Sequence, residues 1–293
     1  MLSLPGNRRR FIPVLLTVLL LSAGIHSQAH GLDPVNGLLT PESVVQAADG
    51  KIYVSEINEP GKDGDGQIRV IDHGSSSVLV QGLDDPKGLA LIGSDLFVAD
   101  KNRIWRIALN QSPVTAEVYI PASEFPQTPQ FLNDLAADAN GNLYVSDSGD
   151  IMGTGKGGAV YKITPQGKLS LLIDGQADAR ILAPNGLLAD ARGEHLMIAD
   201  FTSGMLYDYD IGKRRLQEIA SGFGGADGLV RQANGTIYVS DWKSGKVYRV
   251  ENHQAVLIKE GYQSAADIAL SQDDHHLLVP DMKAGMLDVI HLR

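Results

Sequence analysis

Residues 131–149 read FLNDLAADANGNLYVSDSG. A short apolar run is followed by a polar Asn140-Gly141 turn and a second run, LYVSD, over 143–147. Two β-rich runs around an Asn-Gly pair form a hairpin signature. Asn133 stands alone at the head of the first run.

The phrase recurs along the chain. Its second run returns as IYVSE (52–56), LFVAD (96–100), LYVSD (143–147), LMIAD (196–200), IYVSD (237–241) and LLVPD (277–281). Third runs follow as QIRVID, RIWRI, AVYKI, MLYDYD, KVYRV and MLDVI, and fourth runs in five copies as SVLV, AEVYI, LSLLI, LQEIA and AVLIK. These runs are β-branched and aromatic, with Gly, Asn and Asp between them, and no segment holds a helical period. Repetition at 40–50 residues of four-strand units predicts an all-β fold, a six-bladed β-propeller of four-stranded antiparallel blades. The last unit stops after three runs, so a strand near Val35–Leu39 is expected to complete it. The expected domain spans 30–293.

Ahead of it, Arg8, Arg9 and Arg10 precede an apolar run from Phe11 to about Leu21, then small residues including Ser27 and Ala29. This pattern predicts a cleaved leader over 1–29, its apolar run too short for a comfortable membrane span, with the arginines open to either a Sec or a twin-arginine route. The expected location is periplasmic or secreted. The absence of Cys removes disulfides, thiol nucleophiles and thiolate metal sites, and fits a bacterial periplasm. The formal charge is −10, or −13 once the three arginines of the acid-free segment 1–29 are set aside. No basic footprint for nucleic acid exists, and no membrane partner is expected after leader cleavage; the acidity suits a cation site.

The six first strands begin PESVV, PKGLA, LNDLA, PNGLL, ADGLV and ADIAL. Aligned on their apolar residues, the second positions are Glu42, Lys87, Asn133, Asn185, Asp227 and Asp267. Propeller geometry would place these around the axis on one face, with three acids against one lysine. Carboxylates crowded there repel unless a cation lies between them. Oxygen donors without His or Cys favour Ca²⁺, with Mg²⁺ or Mn²⁺ as alternatives. The same residue types also cap turns before strands, with water in the channel.

The motifs PES, FLND, PNGL and ADGL resemble those of the senescence-marker-protein/gluconolactonase/luciferin-regenerating-enzyme family, over essentially the whole mature chain. The resemblance implies a six-bladed propeller with one divalent ion on its axis, held by Glu42, Asn185 and Asp227 with Asn133 at the site. It implies metal-dependent hydrolysis of a small lactone or related ester. Asp227 or Asp267 would be general base, Asn133 would orient substrate or complete the coordination, and Lys87 would stabilise developing negative charge or relieve repulsion in the ring. Family members acting on sugar lactones carry a substrate-binding Arg at the position of Phe131, and the family's Trp after the Glu motif is absent, Val44 and Val45 standing there. Lys87 and Asp267 are outside the common ligand set. The alternative is a non-catalytic periplasmic binding or scaffold propeller with a structural ion.

The second runs all end in an acid: Glu56, Asp100, Asp147, Asp200, Asp241 and Asp281. Acids common to every copy are expected to brace turns. Phe201, Trp242 and Met282, just beyond them, are open to two readings: ordinary loop packing, which is the default, or a partly apolar pocket mouth lined together with Phe125, Phe131 and Met152. Long connections at 57–65, 121–130 and 148–157 are expected on that face. GTGKGG (153–158), KDGDG (62–66) and His275-His276 do not complete a phosphate loop, an EF-hand or a ligand set, and no Gly-x-Ser-x-Gly exists.

Overall fold

The computed structural model describes residues 32–292 together with Leu2, so the expected leader over 1–29 lies, but for Leu2, outside the described residues. Among the described residues the one helical element is a 3₁₀ turn at Ala122–Glu124, and no helix is long and apolar enough to cross a membrane. Everything else regular is strand.

The strands form four-stranded antiparallel meanders in chain order. The first holds Pro41–Gln46, Ile52–Glu56, Gly66–Asp72 and Ser75–Leu83, and the second Pro86–Ile92, Asp95–Asp100, Arg103–Ala108 and Ala116–Ile120. The third holds Leu132–Ala137, Leu143–Asp147, Ala159–Ile163 and Leu169–Asp174. An eight-stranded sheet is two further meanders, Pro184–Ala189 through Arg215–Ser221 and Ala226–Arg231 through Gln254–Glu260, joined by the single parallel pair Ser221↔Gln254. The last sheet combines Ala269–Leu270, His276–Asp281 and Met286–His291 with Val35–Asn36. There Val35 pairs with Leu287 and Asn36 with Met286, and Leu38 N–H adds a 2.9 Å bond to Gly285 O. The expected closing strand near Val35 is therefore present.

Burial explains the order within each meander. The second strands are buried on both sides, as in Ile52–Glu56 and Leu143–Asp147, because each is covered by the neighbouring sheets. Fourth strands such as Ala116–Ile120 and Leu169–Asp174 are exposed or half-buried but for one residue each and form the rim. The apolar clusters lie between consecutive meanders. One joins Phe97, Ile104 and Ile120 to Leu135, Val145 and Tyr161, and another joins Val44, Val54 and Leu38 to Leu278 and Leu287, so the last sheet packs on the first. The first strands face the resulting axis.

Candidate functional site

A repeated irregularity in the first strands builds the site. Pro41 pairs with Glu56, but the next pair is Val44 with Val54, three residues on against two. The same slip occurs between Pro86 and Leu89, Leu132 and Leu135, Pro184 and Leu187, and Ala226 and Leu229. Each is a β-bulge with one extra residue, a device that re-aims side chains. In three of the five the inner N–H is caught by a hydroxyl of the second strand: Ser43 N–H by Ser55 Oγ, Asp134 N–H by Ser146 Oγ and Gly228 N–H by Ser240 Oγ, each at 2.9 Å.

The two residues within each bulge form two levels. The upper one, Glu42, Lys87, Asn133, Asn185 and Asp227, lines one cavity. The lower one is Ser43, Gly88, Asp134, Gly186 and Gly228. Asp267 does not belong to the upper ring, contrary to the sequence alignment. In the last unit the residue opposite Asp281 is Ala265, and Ala269 pairs with Leu278, so Ala266 holds the upper slot and Asp267 the lower. The stretch SAADIAL has no Pro or Gly to mark the slot, and its Ala-Asp pair imitates Ala226-Asp227 one residue out of step.

The upper ring is buried and incompletely bonded. Glu42 Oε2, Asn185 Oδ1 and Asp227 Oδ1 are buried atoms without a hydrogen-bond partner. Burial, then Asp227 and Asp267, push the Glu42 carboxyl well above the usual range, with Lys87 opposing. Burial, then Asp267 and Asp241, do the same to Asp227, opposed by the Asn185 side chain. Burial lowers the Lys87 ammonium, while Glu42 and Asp85 raise it. Lys87 Nζ donates to Asp85 O at 3.0 Å and lies 4.4 Å from the centre of the Phe131 ring. Asn133 Nδ2 donates to Ser148 Oγ at 3.1 Å, and that hydroxyl donates to Pro184 O at 2.8 Å. Orphaned carboxylate and amide oxygens from three separate strands suit a hard cation, and desolvated acids without one are costly. Among the described residues no group of three His, Cys, Asp or Glu forms a metal cluster; the ring's donors mix carboxylates with amides.

The lower level was not anticipated. Asp134 accepts from Leu135 N–H and Leu187 N–H, both at 2.6 Å, and Asp267 accepts from Ser43 Oγ at 2.6 Å. Burial pushes Asp267 up to about 7 against the pull of Ser43, Ile268 N–H and Asp134, and burial and Asp267 push Asp134 well up. The residue types Ser43 and Asp134 stand directly after Glu42 and Asn133, and only a known bulge would have marked them as facing the axis too.

The acids ending the second strands brace loops, as expected. Asp100 accepts from Asp84 and Asp85 N–H, Asp147 from Gln130, Phe131 and Gly149 N–H, and Asp241 from Gly224, Gly225 and Ser244 N–H. They secure the loop leading into the first strand as well as the turn after the second. Beyond them, Phe131, Met152, Phe201, Trp242 and Met282 line the cavity with Ile57. Phe125 does not: it is in the core, edge-on to Tyr161 with ring centres 5.1 Å apart. The loops after Ile57 and Ser148 contribute Pro60, Ile151 and Met152 to the mouth, whereas residues 126–130 border a separate cavity. His276 contacts Asp273 and His291, and none of the three lines the cavity.

A model of the SMP-30/Gluconolactonase/LRE-like region matches residues 86–279. Among solved structures, a protein described as a gluconolactonase superposes with a TM-score of 0.68 at 18% identity, covering 90% of this chain and 95% of its own. The Xanthomonas campestris protein XC5397, described as a gluconolactonase, gives a TM-score of 0.68 at 16% identity over 87% of each chain. A chain of a nidogen/laminin complex gives 0.58 at 19% identity over 72% of this chain and 75% of its own. No curated protein sequence matches. At these identities the solved structures speak for the fold.

Proposed function

The chain belongs to the SMP-30/gluconolactonase/LRE-like family, and from that membership we propose that it hydrolyses a lactone or related ester with one divalent ion in the upper ring. The fold is read as six blades, the eight-stranded sheet counting as two. The observation that carries the reading is the set of orphaned oxygens on Glu42, Asn185 and Asp227 facing one cavity. With Asn133 they would hold the ion, Ca²⁺ by preference, with Mg²⁺ or Mn²⁺ as alternatives. When bound, such an ion polarises a carbonyl oxygen and acidifies water.

The chain's own groups supply the rest. Asp227, in the cavity, takes the proton from the attacking water; Asp267 lies below the ring, bonded to Ser43, and positions rather than reacts. Asn133, tethered through Ser148, presents its amide oxygen to the substrate or ion. Lys87 keeps N–H donors beyond the one given to Asp85 O and faces the charge that develops on the carbonyl oxygen. Residues 1–29 are read as an export leader cleaved on the way to the periplasm, which amino-terminal sequencing of the mature protein checks.

The test is turnover of a lactone and ester panel by the purified protein, before and after chelation and metal return. Hydrolysis lost with EDTA and restored by the ion is the expected result. No turnover, with a melting temperature lowered by chelation, would favour the non-catalytic binding or scaffold reading. Phe131 standing where sugar-lactone members carry Arg favours that second reading.

A further inference from the structure

We propose that the substrate's non-reacting body is apolar: the site takes an alkyl- or aryl-substituted lactone or ester rather than a polyhydroxylated sugar lactone. This rests on the hydrolase reading for the reacting group only; the body is read from the walls. The cavity holds about 680 Å³, the size of a small-molecule site. The ring residues Glu42, Lys87, Asn133, Asn185 and Asp227 form its polar floor. Above them stand Ile57, Phe131, Met152, Phe201, Trp242 and Met282.

Most of the polar groups higher in the cavity are already engaged, and the Lys283 ammonium lies over the Trp242 ring. Thr40 Oγ1 donates to Asn58 O at 2.7 Å, Asp85 Oδ1 accepts from Gly61 N–H at 2.8 Å, and Trp242 Nε1 donates to Met282 Sδ at 3.2 Å. Sugar hydroxyls would find few free partners, and an apolar pocket disfavours an added hydroxyl about 100-fold.

The aromatic rings are held in place by lysines. Lys87 lies 4.4 Å from Phe131, Lys243 4.3 Å from Phe201 and Lys283 4.0 Å from Trp242. Such ammonium–ring contacts fix a wall while leaving apolar area for a ligand. Met152 is 79% exposed at the mouth, an apolar side chain that the protein itself does not cover. A hydrocarbon body bound to the wall would cover it.

Trp242 makes the test independent of catalysis. It is one of two tryptophans; the other, Trp105, bonds Asp100 in the second meander. The full mature chain in Ca²⁺ is titrated with δ-undecalactone, dihydrocoumarin and D-glucono-δ-lactone while Trp emission is followed. The two apolar lactones should bind at least about tenfold more tightly than the sugar lactone, and Met152→Ser and Phe201→Ser should each weaken them about tenfold without changing sugar-lactone binding. Met152 is exposed, so its variant tests the wall without threatening the fold. Tighter binding of the sugar lactone, or apolar binding unchanged in both variants, overturns the inference. Apolar binding without hydrolysis defeats the hydrolase reading and upholds this one; a higher kcat/KM for the sugar lactone does the reverse.

Discussion

The Ser43 hydroxyl donates to Asp267 Oδ2 at 2.6 Å, joining residues 224 positions apart across the meeting of the first and last units. Ser43 Oγ also accepts from Leu89 N–H at 3.2 Å, and Asp267 N–H donates to Glu42 O at 2.9 Å. One side chain thus ties three first strands below the ring. Ser43→Ala removes the hydroxyl donor of a buried carboxyl and leaves it the Ile268 N–H, which should cost about 1.5–3 kcal/mol. The loss should be greater at pH 8, where Asp267 is ionised, than at pH 5, where it carries its own proton. Urea unfolding at both pH values checks this; equal, negligible losses would show that Asp267 does not depend on Ser43.

Asp227→Asn keeps shape and removes charge from the upper ring. Two opposite effects are expected. Bound divalent ion should fall below one per chain by elemental analysis, because a charged donor is gone. The chelated protein should become more stable, because burial and Asp267 both oppose the Asp227 carboxylate. An ion retained at full occupancy would remove Asp227 from the ligand set.

The meanders are legible in the sequence because second strands buried on both faces leave a strong apolar signature, and because the bracing acid repeats at each end. Glu42, Lys87, Asn133, Asn185 and Asp227 are legible for a related reason: variation at one slot of a repeat stands out against its constancy elsewhere. The bulges are not. Period-two alternation sends neighbours to opposite faces, so it hides Ser43 and Asp134 behind Glu42 and Asn133, and the extra residue that brings both to the axis leaves no compositional mark. Asp267 is misplaced because the Ala-rich run SAADIAL lets the alignment slip by one residue. Ser148, which holds Asn133, reads as an ordinary loop residue until the fold brings the two together.

Four acids near the axis set the pH dependence. Burial pushes Asp267 up to about 7 and Glu42, Asp134 and Asp227 upward too. In the metal-free protein the folded state then holds more protons than the unfolded chain above about pH 4, so stability falls as pH rises from there through about 7. Asp267 alone accounts for on the order of 4 kcal/mol across that window. Ion binding requires the deprotonated ligands and should tighten over the same range. Denaturant melts from pH 4 to 8, with EDTA and with saturating Ca²⁺, should diverge as pH rises; parallel curves would mean that no ion occupies the acids' site.

The lower level leaves no room for side chains at its glycines. A Cβ on Gly186 would lie 2.0 Å from Asp227 O, and one on Gly88 2.4 Å from Asp134 Cα. Both clashes are with backbone of the next first strand, which cannot yield as a side-chain tip can. Gly186→Ala should therefore push the strand carrying Asp227 outward, costing about 1–3 kcal/mol or more by overpacking. The displacement acts on Asp227, a proposed ligand, so affinity for the proposed ion should fall together with stability. Gly235→Ala is the contrast: that position has positive φ in a turn, with nothing within 4 Å of its Cβ. It should lose stability through backbone strain, on the order of 1 kcal/mol, and keep its ion. Calorimetric titration of both variants with Ca²⁺, beside their melting curves, separates the two effects; unchanged affinity in Gly186→Ala would show that the ring does not depend on the close approach beneath it.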